Sequence, residues 1–82
     1  MKERFMATIN AAIDNGTEIG ITMEAGSNAV AFSVVPFEVI EGEGNVVIYA
    51  GSDIITVDTT NMVYDNDEFI CVNNNSVISI AA

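Results

Sequence analysis

AVAFSVVPFEVIEGEGNVVIYAGSDIITVD, residues 29–58, decides how this chain folds. It is dense in β-branched and aromatic side chains, which favour a pleated surface. It is cut only by Pro36, by Gly42-Glu43-Gly44 and by Gly51-Ser52-Asp53. Ala29 to Glu41 reads as one long apolar strand. Pro36 has no N–H for a ladder bond, so it implies an edge position, a bulge or a sharp bend. Gly42–Gly44 is a turn, and Asn45 to Asp58 reads as the next long strand, bent at Gly51–Asp53. A flat sheet has no use for such breaks. A small closed barrel does, because each long strand must serve both of its halves.

Outward from this stretch the pattern is simple. On the N-terminal side, Phe5, Met6, Ile9, Ala12 and Ile13 form one stripe at helical spacing. Asn15-Gly16 follows, a pair that tolerates the left-handed cap conformation, so a helix is expected over residues 2–15. Thr17 to Glu24 alternates, with Ile19, Ile21 and Met23 on one face and Glu18, Thr22 and Glu24 on the other, and Ala25–Asn28 turns. On the C-terminal side, Thr59-Thr60 turns the chain. Asn61 to Val72 reads as a fourth strand bent at Asp65-Asn66-Asp67. Asn73–Asn75 makes a tight turn, and Ser76 to Ile80 is the fifth strand. The expected architecture is mainly β: an N-terminal helix followed by a five-stranded, strongly bent antiparallel small barrel in a single domain.

Composition narrows the chemistry. The chain has 82 residues, twelve acids against two bases, one cysteine and no histidine or tryptophan. A chain of this length buries roughly 60–65% of its unfolded surface and is marginal alone. Cys71 has no partner for an internal disulfide, and without histidine an ordinary zinc site is excluded. Association with other copies remains as the stabilising device. Half the residues are hydrophobic, more than a small monomer hides, and an exposed apolar patch marks an interface. The net charge of −10 serves solubility and opposes polyanions. The only bases, Lys2 and Arg4, lie in the first helical turn. No run approaches the ~18 apolar residues of a membrane span, and no signal-peptide pattern opens the chain. A cytoplasmic protein without membrane contact is expected.

Two local stretches, with the helix-plus-five-strands order, resemble the Sm-like proteins. The first Sm motif has hydrophobic positions leading to an acid, then Asn four residues on, then a hydrophobic strand. Here Phe37–Ile40 leads to Glu41, and Asn45 precedes Val46–Tyr49. A rival register places the motif on Asp58, Asn61 and Met62. In the second motif, Phe69-Ile70 and Val77–Ile80 supply the hydrophobic frame around Asn73-Asn74-Asn75, with Cys71-Val72 where the family has Arg-Gly. The resemblance implies a homo-oligomeric ring joined by edge-strand pairing. It also implies contact of single-stranded RNA or DNA with the loops Glu41–Asn45 and Asn73–Asn75, and Lys2 and Arg4 are the cations available for phosphate.

Other constellations read as ordinary structure. Asp65-Asn66-Asp67-Glu68 resembles a calcium loop, but Ile70 stands where such a loop needs glycine, so it is a solvated turn. Glu41 and Glu43 alternate, which would suit an acid–base pair, and read instead as solvated glutamates. Gly42-x-Gly44 lacks the remaining glycine and the helix of a nucleotide loop. Cys71 sits in an apolar strand without an activating base and reads as a buried structural thiol. Phe32, Phe37, Tyr49, Tyr64 and Phe69 could stack on bases, but aromatics dominate burial and these read as core and interface. No catalytic set and no cofactor are expected. The leading functional expectation is a nucleic-acid-binding ring, and the alternative is a structural or protein-binding scaffold without a nucleic-acid ligand.

Overall fold

The structure, a computed structural model, describes residues 1–73 and 75–82, with the side chain of Asn73 outside the description. It is mainly β with one N-terminal helix. Helix α1 spans Lys2–Asn15 and is followed by β1 (Ile19–Ala25), β2 (Asn28–Val34), β3 (Glu38–Glu41), β4 (Asn45–Ala50), β5 (Asp53–Asp58), β6 (Val63–Asp65), β7 (Glu68–Asn73) and β8 (Ser76–Ala81). A five-stranded sheet runs in the order β2-β1-β8-β7-β6, and a three-stranded sheet in the order β3-β4-β5. All pairings are antiparallel.

Two expected bends are instead chain reversals. Ala50 pairs with Asp53 and Asp65 with Glu68, so Gly51-Ser52 and Asn66-Asp67 are two-residue hairpin turns. Gly51 has φ 60°, which suits the first position of a II′ turn. Asn66 and Asp67 have φ 52° and 64°, positive at both positions as a I′ turn requires. Asn45–Asp58 and Asn61–Val72 are therefore each folded back on themselves, and eight strands in two sheets stand in place of the five bent strands. Only the break at Pro36 behaves as a change of course. Val35–Phe37 carries the chain from the edge of the large sheet to the edge of the small one. The small sheet's ladder resumes where the Phe37 N–H donates to Tyr49 O at 2.9 Å.

The two sheets and the helix share one core. Phe5, Ile9 and Ala12 come from the helical stripe, Ile19, Ile21, Phe69, Cys71 and Ile80 from the large sheet, and Val46, Ile48, Ile55 and Val57 from the small sheet. The helix closes in a Schellman motif, with Gly16 in the left-handed region at φ 63°. Thr17 N–H donates to Ala12 O at 3.0 Å and Gly16 N–H to Ile13 O at 3.2 Å. Phe5 meets Phe69 edge-on at 5.1 Å, and Phe69 meets Tyr64 edge-on at 4.7 Å. These rings tie the helix to β6 and β7 in the geometry aromatic quadrupoles prefer.

Candidate functional site

The residues singled out in the sequence fall into separate places. Lys2 Nζ lies 3.4 Å from a Glu41 carboxylate oxygen and donates to Gly42 O at 3.0 Å. The helix N-terminus is thus pinned to the β3–β4 loop. Both side chains are partly exposed, so the pair contributes at most about 1 kcal/mol. Asn45 closes the same loop, its carbonyl accepting from Gly42 N–H at 2.9 Å. Arg4 is elsewhere, with its guanidinium 3.9 Å from the centre of the Tyr64 ring. Asn75 lies in the β7–β8 turn beside the end of β1, where Ser76 pairs with Ala25. Asn74 and the side chain of Asn73 lie outside the described residues. Among the described residues, no hydrogen bond or ion pair joins Asn75 to the Lys2–Glu41–Asn45 group.

Both bases are therefore engaged within the fold. A cation held in an ion pair, or laid over an aromatic face, gives up part of that contact on turning to a phosphate. Beside Asn45 lies a polar cleft lined by Glu43, Gly44, Thr56, Asp58 and Thr60. Asp58 Oδ1 accepts from Thr60 N–H at 2.8 Å, and Gly44 O accepts from the buried Thr59 N–H at 3.0 Å. Among the described residues no group of three His, Cys, Asp or Glu side chains is placed to hold a metal ion, and no helix is long and apolar enough to cross a membrane.

Cys71 is buried and unpaired. Its thiol pKa is raised above the ordinary 9.0, chiefly because burial disfavours the thiolate. A backbone hydrogen bond from Asp58 opposes the shift, and the Asp58 charge adds to it. Such a thiol is a poor nucleophile at neutral pH. Of the aromatic residues, Phe69 is in the core and Tyr64 and Phe32 pack against it. Phe37 is 58% exposed, with its ring tilted over Tyr49 at 6.4 Å between centroids.

Two exposed surfaces stand out, one on each sheet. The first is the edge of β2, which pairs with no further strand among the described residues. Ala25 and Asn28 close a two-residue hairpin, so that pair exchanges both backbone hydrogen bonds, and Val30, Phe32 and Val34 follow suit along the ladder. The N–H and C=O groups of Ala29, Ala31 and Ser33 then point away from β1. All three residues are exposed, and Val30 is 59% exposed. The strand carries no charge, and none occurs from Ala25 to Phe37. The other edges are protected: β3 packs against the helix, β5 lies against β7, and β6 is three residues long. The uncharged run around β2 was the signal in the sequence.

The second is the outer face of the small sheet. β4 alternates, with Val46, Ile48 and Ala50 buried and Asn45, Val47 and Tyr49 turned outward. Register aligns Glu38, Tyr49 and Ile54 in one row and Ile40, Val47 and Thr56 in the next. No family model, curated protein or solved structure matches this chain.

Proposed function

We propose that this protein is a non-enzymatic scaffold that associates with copies of itself edge to edge through β2. The observation that carries the reading is that edge: an uncovered strand of seven residues without a charge. Natural sheets protect long edges with charge, proline, bulges or a covering element. Here the proline stands two residues beyond the strand and the helix covers a different edge. In a molecule of charge −10, the neutral run is also where two copies approach with the least repulsion.

Antiparallel pairing of β2 with β2 about Ala31 brings Ala29 opposite Ser33 and Val30 opposite Phe32. It satisfies the outward groups of Ala29, Ala31 and Ser33 on both copies. Each bond is worth about 0.5–1.5 kcal/mol net, and burial of Val30 and Phe32 adds to them. This contact is isologous and closes as a two-fold dimer. The ring implied by the Sm-like resemblance needs a second, complementary edge, and the opposite end of this sheet, the three-residue β6, offers little to pair with. The engagement of Lys2 and Arg4 favours the scaffold over single-stranded nucleic acid as the principal role. One unpaired thiol suits a reducing, cytoplasm-type compartment.

The test is sedimentation of the wild type and of Ala31→Pro at micromolar concentration. The Ala31 N–H faces outward, so proline there removes no bond within the sheet, and edge strands accept proline in that orientation. The wild type should sediment at twice 8.7 kDa or above, and the variant at 8.7 kDa with unchanged far-ultraviolet circular dichroism. A wild type that sediments as a single species of 8.7 kDa overturns the proposal.

A further inference from the structure

The outer face of β3–β4–β5 holds apolar side chains that the core does not use. Phe37 is 58% exposed, Ile40 47% and Ile54 66%. Register makes them neighbours rather than scattered residues. Ile54 is paired with Tyr49, Ile40 with Val47, and the Phe37 ring leans on Tyr49. Together they form an exposed apolar patch, and such patches on a monomer are often functional.

The margin of this face is acidic. Glu38 opens β3, Asp53 and Asp58 begin and end β5, and Glu43 sits in the β3–β4 loop. None of these four forms an ion pair among the described residues, since the base nearest this margin, Lys2, is paired with Glu41. No lysine or arginine occurs after Arg4. An apolar centre with an uncompensated acidic margin is complementary to a surface of opposite charge. A second copy does not supply one, because it brings the same carboxylates to the same margin. This separates the face from the uncharged β2 edge.

We infer that the outer face of β3–β4–β5 is a docking surface for a basic protein segment bearing bulky apolar side chains. The apolar residues of the partner cover Phe37, Tyr49 and Ile54 and supply the affinity. Its lysines or arginines meet Glu38, Asp53 and Asp58 and set the approach and the specificity. The face does not involve β2, so docking is independent of self-association.

The experiment titrates the full chain with three short fluorescent peptides: alternating lysine and leucine, alternating lysine and serine, and alternating glutamate and leucine. Binding is read by anisotropy, and the site by amide shifts in nuclear magnetic resonance. The lysine–leucine peptide should bind, shifting amides between Phe37 and Asp58. The doubly substituted Phe37→Ser, Ile54→Ser chain should bind it about tenfold or more weakly, as loss of central anchors does. Val63→Ser and Val72→Ser, at exposed positions on the large sheet, should leave binding unchanged, and so should Ala31→Pro. If the double variant loses its fold by circular dichroism, Ile54→Thr alone carries the comparison. Equal binding of the lysine–serine or glutamate–leucine peptide overturns the inference, as does full binding to the face variant or a shift map centred elsewhere. Loss of self-association in Phe37→Ser, Ile54→Ser with peptide binding retained would assign the face to a second copy and overturn it also.

Discussion

Replacing Phe5 with alanine tests whether the helix is part of the core or an attachment to it. Phe5 is fully buried and meets Phe69 edge-on at 5.1 Å. Phe69 carries the contact on to Tyr64, and Tyr64 to Arg4. Truncating a buried phenylalanine costs about 3–5 kcal/mol in lost transfer energy and residual cavity. The edge-on pair with Phe69 places Phe5→Ala at the upper end of that range. A chain of 82 residues has a total stability on the order of 4–12 kcal/mol, so this one change removes a third of it or more. Urea unfolding followed by circular dichroism measures the loss. Protein concentration must be held fixed, because self-association adds to apparent stability. Phe5→Leu, which keeps most of the volume, should lose about 1–2 kcal/mol with an unchanged dependence on urea, which marks a single cooperative unit. A loss below about 1 kcal/mol for Phe5→Ala would refute the reasoning. Ile9 and Ala12 would then also be peripheral, and the two sheets would fold without the helix.

Three further outcomes are expected. Because burial raises the Cys71 pKa in the folded state, its contribution to stability is fully present below 9.0 and lost as pH rises through the folded value; Cys71→Ala should therefore flatten the alkaline limb of a stability–pH curve, and identical limbs would contradict the assignment. Asp67 holds φ 64° in the I′ turn, so Asp67→Val should cost about 1–2 kcal/mol while Asp67→Gly should not destabilise, as thermal unfolding of the pair will show. Labelled oligo-U and oligo-A should bind weakly at low salt with a shallow salt dependence, since two engaged cations per chain release few counterions; tight binding with a steep salt slope would restore the nucleic-acid reading to first place.

The sequence by itself determined the local elements. The stripe from Phe5 to Ile13 and the Asn15-Gly16 stop specify the helix, because helical spacing and a left-handed cap are properties of neighbouring residues. Alternation in Thr17–Glu24 likewise specifies β1, and the apolar frame specifies the strands around it. At Gly51-Ser52 the glycine in the first turn position is itself a hairpin signal, whereas at Asn66-Asp67 the same residues serve a bend or a reversal. The reversal wins through pairing: β4 finds β5 and β7 finds β6, each covering apolar surface that one long strand would leave to water. At Pro36 the local signal allowed several outcomes, and the switch between sheets follows from which strands β2 and β3 meet. The separation of Asn45 from Asn75, and the engagement of Lys2 by Glu41 and of Arg4 by Tyr64, depend on residues far apart in the chain. The free β2 edge and the acidic, apolar face of the small sheet exist for the same reason. A strand carries its side chains wherever it goes, but whether its edge or face is covered depends on what the rest of the chain packs against it.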